Sequence, residues 1–245
     1  MLTPADVVLT LFIVTVLPLR AWFGMRALKA APAETLPVLR RRLWRRAILS
    51  QWLLVGLVLA VWLAARRDPL ALGLGLRPSG GLAGVLVGLA TIVSIVYRQR
   101  DSVDHDESVR ARIRERLGPV ERLMPRSRAE FPLFAALAVT AGICEELLFR
   151  GYLLWVADHV LPFAAAAAAQ ALVFGACHAY QGPRGVVLTT FAGAFLTAVV
   201  LVSGSLWPAM LVHALMDLNA GYMALRVFPA DPPSPGVAAA GPGAA

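Results

Sequence analysis

Read for polarity alone, the chain divides into long apolar runs separated by shorter charged ones. Seven runs have about the 18–25 residues that a helix needs to cross the hydrocarbon core of a bilayer. They cover approximately residues 5–23, 47–65, 80–97, 131–156, 160–179, 185–203 and 206–228. The pattern predicts an all-α fold, a polytopic transmembrane helical bundle of about seven spans, with an eighth admissible. No basic stretch precedes the first run and no convincing cleavage site follows it, so it reads as a retained helix and not a removed signal peptide.

The charged segments give the orientation. Residues 20–46 hold eight Lys and Arg and residues 98–128 hold nine, against three in 66–77. Positive charge is retained on the cytoplasmic side, which predicts the N-terminus outside and the C-terminus inside. Segment 98–130 mixes nine basic with seven acidic residues. There Arg110, Arg112, Arg114 and Arg116 alternate with Ala111, Ile113, Glu115 and Leu117. This fits a short helix on the membrane surface or a plain charged connector equally well. Six consecutive alanines, 164–169, open the fifth run; they suit close helix packing, and a biased composition explains them equally. The tail 229–245, with five Pro and three Gly, is predicted to be disordered.

Composition then excludes other classes. The chain is 58% hydrophobic and 16% charged, with a mean hydropathy of +0.68, whereas a soluble domain has roughly 25% charged residues. Its two cysteines, Cys144 and Cys177, lie in apolar runs, which excludes a disulfide scaffold. They read as small buried hydrophobes. The net charge of +8 is concentrated in the connectors, so no nucleic-acid partner is expected. The expected partners are the lipid bilayer and a membrane-associated protein or peptide. The Ala-, Gly- and Arg-rich composition suggests a GC-rich bacterium, and hence an integral protein of the bacterial inner (cytoplasmic) membrane.

Candidate chemistry comes from ionisable residues inside the apolar runs, where each costs roughly 2.5–3.5 kcal/mol on insertion scales and persists when paired or useful. The fourth run contains Glu145, Glu146 and Arg150, the fifth ends Phe174-Gly175-Ala176-Cys177-His178, and the seventh contains His213 and Asp217. Glu146 and Arg150 stand four apart on one helical face and form a predicted ion pair. Glu145, about 100° round the helix, is left without an intrahelical partner. His213 and Asp217 again share a face. Such a set suits activation of water by a carboxylate beside an imidazole, with further groups at an oxyanion. It also suits a metal: Glu145, His178, His213 and Asp217 are acceptable Zn2+ ligands. Spacing does not choose between the two, although a His-Glu-x-x-His run is absent. The predicted topology puts His178 near the cytoplasmic face with Glu145 and His213 deeper, a difference that a kinked or broken fourth span would remove.

At these residues the sequence resembles the CPBP family of CAAX-protease and bacteriocin-processing intramembrane proteases. Its motifs, Glu-Glu-x-x-x-Arg, Phe-x-x-x-His and His-x-x-x-Asn/Asp, match Glu145–Arg150, Phe174–His178 and His213–Asp217 in order. The resemblance implies an intramembrane endopeptidase of the glutamic type. Glu145 and His178 would activate water, and His213 and Asp217 would form the oxyanion site. Glu146 and Arg150, with Phe174, would act as support. Prenyl-protein members have Asn where this chain has Asp217, and an Asp donates to an oxyanion only when protonated. The implied organisation is three N-terminal helices (1–97), a charged cytoplasmic connector (98–130), a catalytic helical core (131–228) and the tail (229–245). The residues establish no cofactor with certainty; Zn2+ is the one the donor set admits. The alternatives are a non-catalytic membrane scaffold or immunity protein of the same family, and an ion-coupled transporter. The transporter would need inverted repeats that the sequence does not display.

Overall fold

The first helix, α1 (Pro4–Ala30), begins where Thr3 and Asp6 form a reciprocal capping box in front of Pro4. That arrangement satisfies backbone donors that a helix start otherwise leaves bare. The computed structural model describes residues 1–75 and 80–231. The predicted disorder of the tail, apart from 229–231, therefore concerns residues outside those described.

After α1 come α2 (Leu36–Ala64), α3 (Gly80–His105) and α4 (Glu107–Leu117). The next helix, α5 (Phe131–Glu146), passes into a π-helical turn, Leu147–Leu153, and continues as α6 (Leu154–Asp158). The chain then forms α7 (Phe163–Cys177), α8 (Pro183–Ser203) and α9 (Leu206–Val227). No strand occurs among the described residues. The all-α expectation therefore holds.

Each of the seven predicted runs falls on helix. Four helical stretches, α1, α2, the continuous run Phe131–Asp158 and α8, are long and apolar enough to cross a membrane. Residues 81–90 of α3 and the whole of α7 form shorter apolar stretches. At 1.5 Å per residue, the 15 residues of α7 reach about 22 Å, short of the roughly 30 Å hydrocarbon core. The predicted fifth run, 160–179, was thus drawn too long, because hydropathy continues across helix ends that Pro162 and His178 set in the backbone.

The exterior of the bundle is apolar. Val8 and Leu11 on α1, Leu53 on α2 and Phe191 on α8 are all exposed, while Glu146, Arg150, Gln170, Thr197 and His213 are buried. In water this distribution would be unfavourable; in lipid, which cannot satisfy polar groups, it is the expected one. The protein is an integral membrane protein.

Small residues let the central helices approach. A Cβ on Gly142 of α5 would lie 2.8 Å from both the Ala214 Cβ and the Met210 carbonyl oxygen of α9. One on Gly175 of α7 would lie 2.0 Å from Thr190 Oγ1 of α8. Close backbone approach of this kind is how membrane helices gain packing contacts without a hydrophobic driving force. Gly142→Val should therefore separate α5 from α9 and cost about 1–3 kcal/mol, the usual range for overpacking. A lower melting temperature in detergent would register it; an unchanged one would show that the two helices are not held by this contact.

The charged ends of the bundle are built on arginine. Arg122 donates to the carbonyls of Leu28, Lys29 and Ala31 at the end of α1. Arg110 and Arg114 of α4 donate to those of Arg226 and Val227 at the end of α9. These are the carbonyls that a helix C-terminus leaves without partners. At the opposite end, Arg67 holds both carboxylate oxygens of the buried Asp6, at 2.8 and 2.6 Å. Tyr152 of the π turn donates to the same carboxylate at 3.0 Å. The first helix is thereby tied to the irregular turn in the fourth run.

Candidate functional site

Three backbone features bring the ionisable residues together. The π turn begins immediately after Glu146, so the axis of the fourth run is irregular at the point where its charges lie; single π turns are frequent at functional sites. The short α7 ends at His178 within the bundle. The glycine contact at Gly142 draws α9, which carries His213 and Asp217, against α5. His178 and His213 meet at one ring: that of Phe174 lies 4.9 Å from the ring of His178 and 6.0 Å from that of His213.

Glu146 is the centre of the network. Its Oε1 accepts from Arg150 Nη1 at 2.7 Å and from His213 Nδ1 at 2.8 Å. The predicted ion pair with Arg150 is present, and both side chains are fully buried. Beyond that pair, Glu146 also anchors the imidazole of α9. Arg150 in turn donates from Nη2 to the Gly193 carbonyl of α8 at 3.1 Å, and its guanidinium lies 4.1 Å from the centre of the Phe174 ring. Gly193 leaves room there: a Cβ would crowd the Phe174 ring at 3.1 Å and Arg150 Nη2 at 3.3 Å. Phe174 is therefore the apolar wall on which Arg150, His178, His213 and Phe149 converge.

The hydrogen bonds fix the imidazole protons. His178 Nδ1 lies 2.8 Å from the Phe174 carbonyl oxygen. A carbonyl can only accept, so Nδ1 carries the proton and Nε2 of the neutral ring presents its lone pair. His213 Nδ1 donates to the Glu146 carboxylate by the same logic. That leaves His213 Nε2, which faces Asp217 Oδ2 at 3.9 Å, too far for a direct hydrogen bond. Asp217 keeps nearly half of its side chain exposed.

Glu145 contrasts with its neighbour. It is only partly buried, and the bond described to it comes from Gln51 Nε2 of α2, at 3.4 Å to Oε1. Gln51 belongs to no predicted motif, although an amide inside the apolar run 47–65 was a visible signal. Cys144 and Cys177 are buried and free.

The donor set can be tested for a metal. The free Nε2 atoms of His178 and His213, each opposite an anchored Nδ1, suit the way metal-bound imidazoles are held. Convergence is lacking, however: among the described residues no three His, Cys, Asp or Glu side chains are gathered closely enough to hold one ion.

An integral membrane bundle with buried acidic, imidazole and guanidinium groups shared among three apolar helical segments defines the class of protein. Within it, residues 127–219 match the family model described as type II CAAX prenyl endopeptidase, Rce1-like. The match contains all seven predicted site residues and bears out the CAAX-protease resemblance. No curated protein and no solved structure matches the chain.

Proposed function

We propose that the protein is an intramembrane endopeptidase of the glutamic type that hydrolyses a peptide bond in a membrane-associated protein or peptide. The observation that carries this reading is the unequal treatment of two adjacent carboxylates. Glu146 is locked by Arg150 and His213, whereas Glu145 keeps one long hydrogen bond and partial exposure. A general base must have a free lone pair and access to water.

Glu145, with His178 Nε2 as a second acceptor, removes a proton from water as the oxygen attacks the scissile carbonyl carbon. The negative charge passes to the carbonyl oxygen. His213, present from the start as an imidazolium against the fixed Glu146 carboxylate, donates a hydrogen bond from Nε2 to that oxyanion and keeps its proton throughout. The C–N bond then breaks, and the proton held by Glu145 leaves with the amine. A neutral carboxyl at Asp217 supplies the second oxyanion donor across the 3.9 Å gap from His213.

The test compares protein termini in membranes from cells expressing wild type or Glu145→Gln. Precursors that stay uncut only in the variant identify the substrate. Asp217 is tested separately. If its carboxyl acts as a neutral donor, Asp217→Asn keeps cleavage within about tenfold of wild type, whereas Asp217→Ala loses roughly 10²-fold or more, the usual effect of removing one oxyanion donor. Equal losses in both variants would remove Asp217 from that role. No step here passes through a metal, so chelator-treated protein is expected to retain its cleavage rate. Activity that disappears with chelator and returns with zinc would overturn the metal-free mechanism.

A further inference from the structure

The first turns of α2 carry five arginines in two different situations. Arg40 turns inward, fully buried, where its Nη2 bonds both Glu130 oxygens at 2.8 and 2.7 Å and also Asp231. Arg41, Arg42, Arg45 and Arg46 turn the other way. Together with Val38 they line one concave patch of the surface. Arg42, Arg45 and Arg46 are exposed and Arg41 is partly so. None of the four forms an ion pair with a carboxylate among the described residues.

Positions 38, 41, 42, 45 and 46 recur at three and four residues, so they form one stripe along the helix. The same stripe continues through Leu49, Trp52 and Leu53, all exposed, and there it is wholly apolar. From Arg45 to Leu53 the helix rises about 12 Å, the distance from a headgroup to the upper acyl chain. Trp52 is held by its indole N–H to Thr140 Oγ1 at 3.3 Å, which fixes its ring as a wall beside the apolar half. A tryptophan at that level is typical of the membrane–water interface. Four guanidiniums crowded on less than two turns repel one another until an anion lies between them, and a phosphate accepts from such forks in pairs.

We propose that this face of α2 is a binding site for an anionic phospholipid, with its headgroup phosphate among Arg41, Arg42, Arg45 and Arg46 and its chains along Leu49, Trp52 and Leu53. The site lies outside residues 127–219 and is independent of the peptidase reading.

The test uses the full chain in detergent, with phosphatidylglycerol and phosphatidylcholine as probes and retained lipid counted by native mass spectrometry. Wild type is expected to hold phosphatidylglycerol at least about tenfold better than phosphatidylcholine, and a variant with all four arginines replaced by Gln to hold the two equally, in line with the large share that charge contributes to such sites. Millimolar inorganic phosphate should leave the bound lipid in place. Should the fourfold variant fail to fold, Arg41→Gln/Arg45→Gln and Arg42→Gln/Arg46→Gln are each expected to lose most of the preference with an unchanged melting temperature. Equal retention of the two lipids by wild type, an undiminished preference in the variants, or displacement by free phosphate would each overturn the proposal.

Discussion

Glu145→Gln abolishes cleavage, with a rate loss of at least about 10²-fold, the lower end of what a general base contributes, while the protein accumulates to wild-type levels. Both halves of this outcome follow from geometry. Gln has the shape of Glu but cannot take a proton from water, so the chemical step is lost. Stability should survive, because the residue is not buried in the ion-pair network and the bond described to it is the 3.4 Å contact from Gln51. The readout is the pairwise comparison of membrane-protein termini described above, with abundance followed by immunoblot. Cleavage at the wild-type rate would sink the glutamic mechanism. Identical termini in wild type, variant and deletion strain, together with a deletion phenotype that the variant rescues, would instead identify a scaffold.

The opposite separation is expected at Arg150. Arg150→Ala leaves the Glu146 carboxylate fully buried without its cation, and breaking a buried pair in this way costs about 3–5 kcal/mol. That is a large fraction of the stability of an ordinary domain, so the variant should be depleted from membranes. The loss is compounded at Gly193, whose carbonyl gives up a charged donor. Glu146→Gln/Arg150→Met removes both charges together and should recover much of the abundance, since an apolar replacement of a whole buried pair is often nearly neutral. Cleavage should not recover with it, because His213 Nδ1 then loses the carboxylate that aligns it. Thermal melting and the terminus assay on the same preparations separate the two effects. Full activity in the double variant would show that the charge of Glu146 is not needed behind His213, since the Gln amide oxygen can still accept from Nδ1.

The helices were legible in the sequence because runs of 18 or more apolar residues have few alternatives to a spanning helix. Their ends were less so. The second run was placed at 47–65, yet α2 starts eleven residues earlier, at Leu36. Arginines lower hydropathy without interrupting a helix, and Arg40 is accommodated by carboxylates from distant segments that no local window includes. The i, i+4 pairing of Glu146 with Arg150 was readable because it lies within one helix. The contact between Glu146 and His213 spans 67 residues and is visible only once Gly142 lets α9 approach α5. Gln51 was missed for a related reason: it belongs to the second run, outside the motifs, and only the packing of α2 on α5 brings it to Glu145.

The link between Glu146 and His213 also has a consequence for synthesis. As the chain leaves the ribosome, Arg150 follows Glu146 by four residues, so the carboxylate can enter the bilayer already neutralised by its own helix. His213 emerges 67 residues later, on α9. Until then the pocket lacks the His213 imidazole and Asp217, and under the peptidase reading the partial chain is inert. On that reading, a newly inserted chain cannot attack the crowded nascent proteins around the translocon; its hydrolytic competence appears only after α9 has emerged and packed on α5.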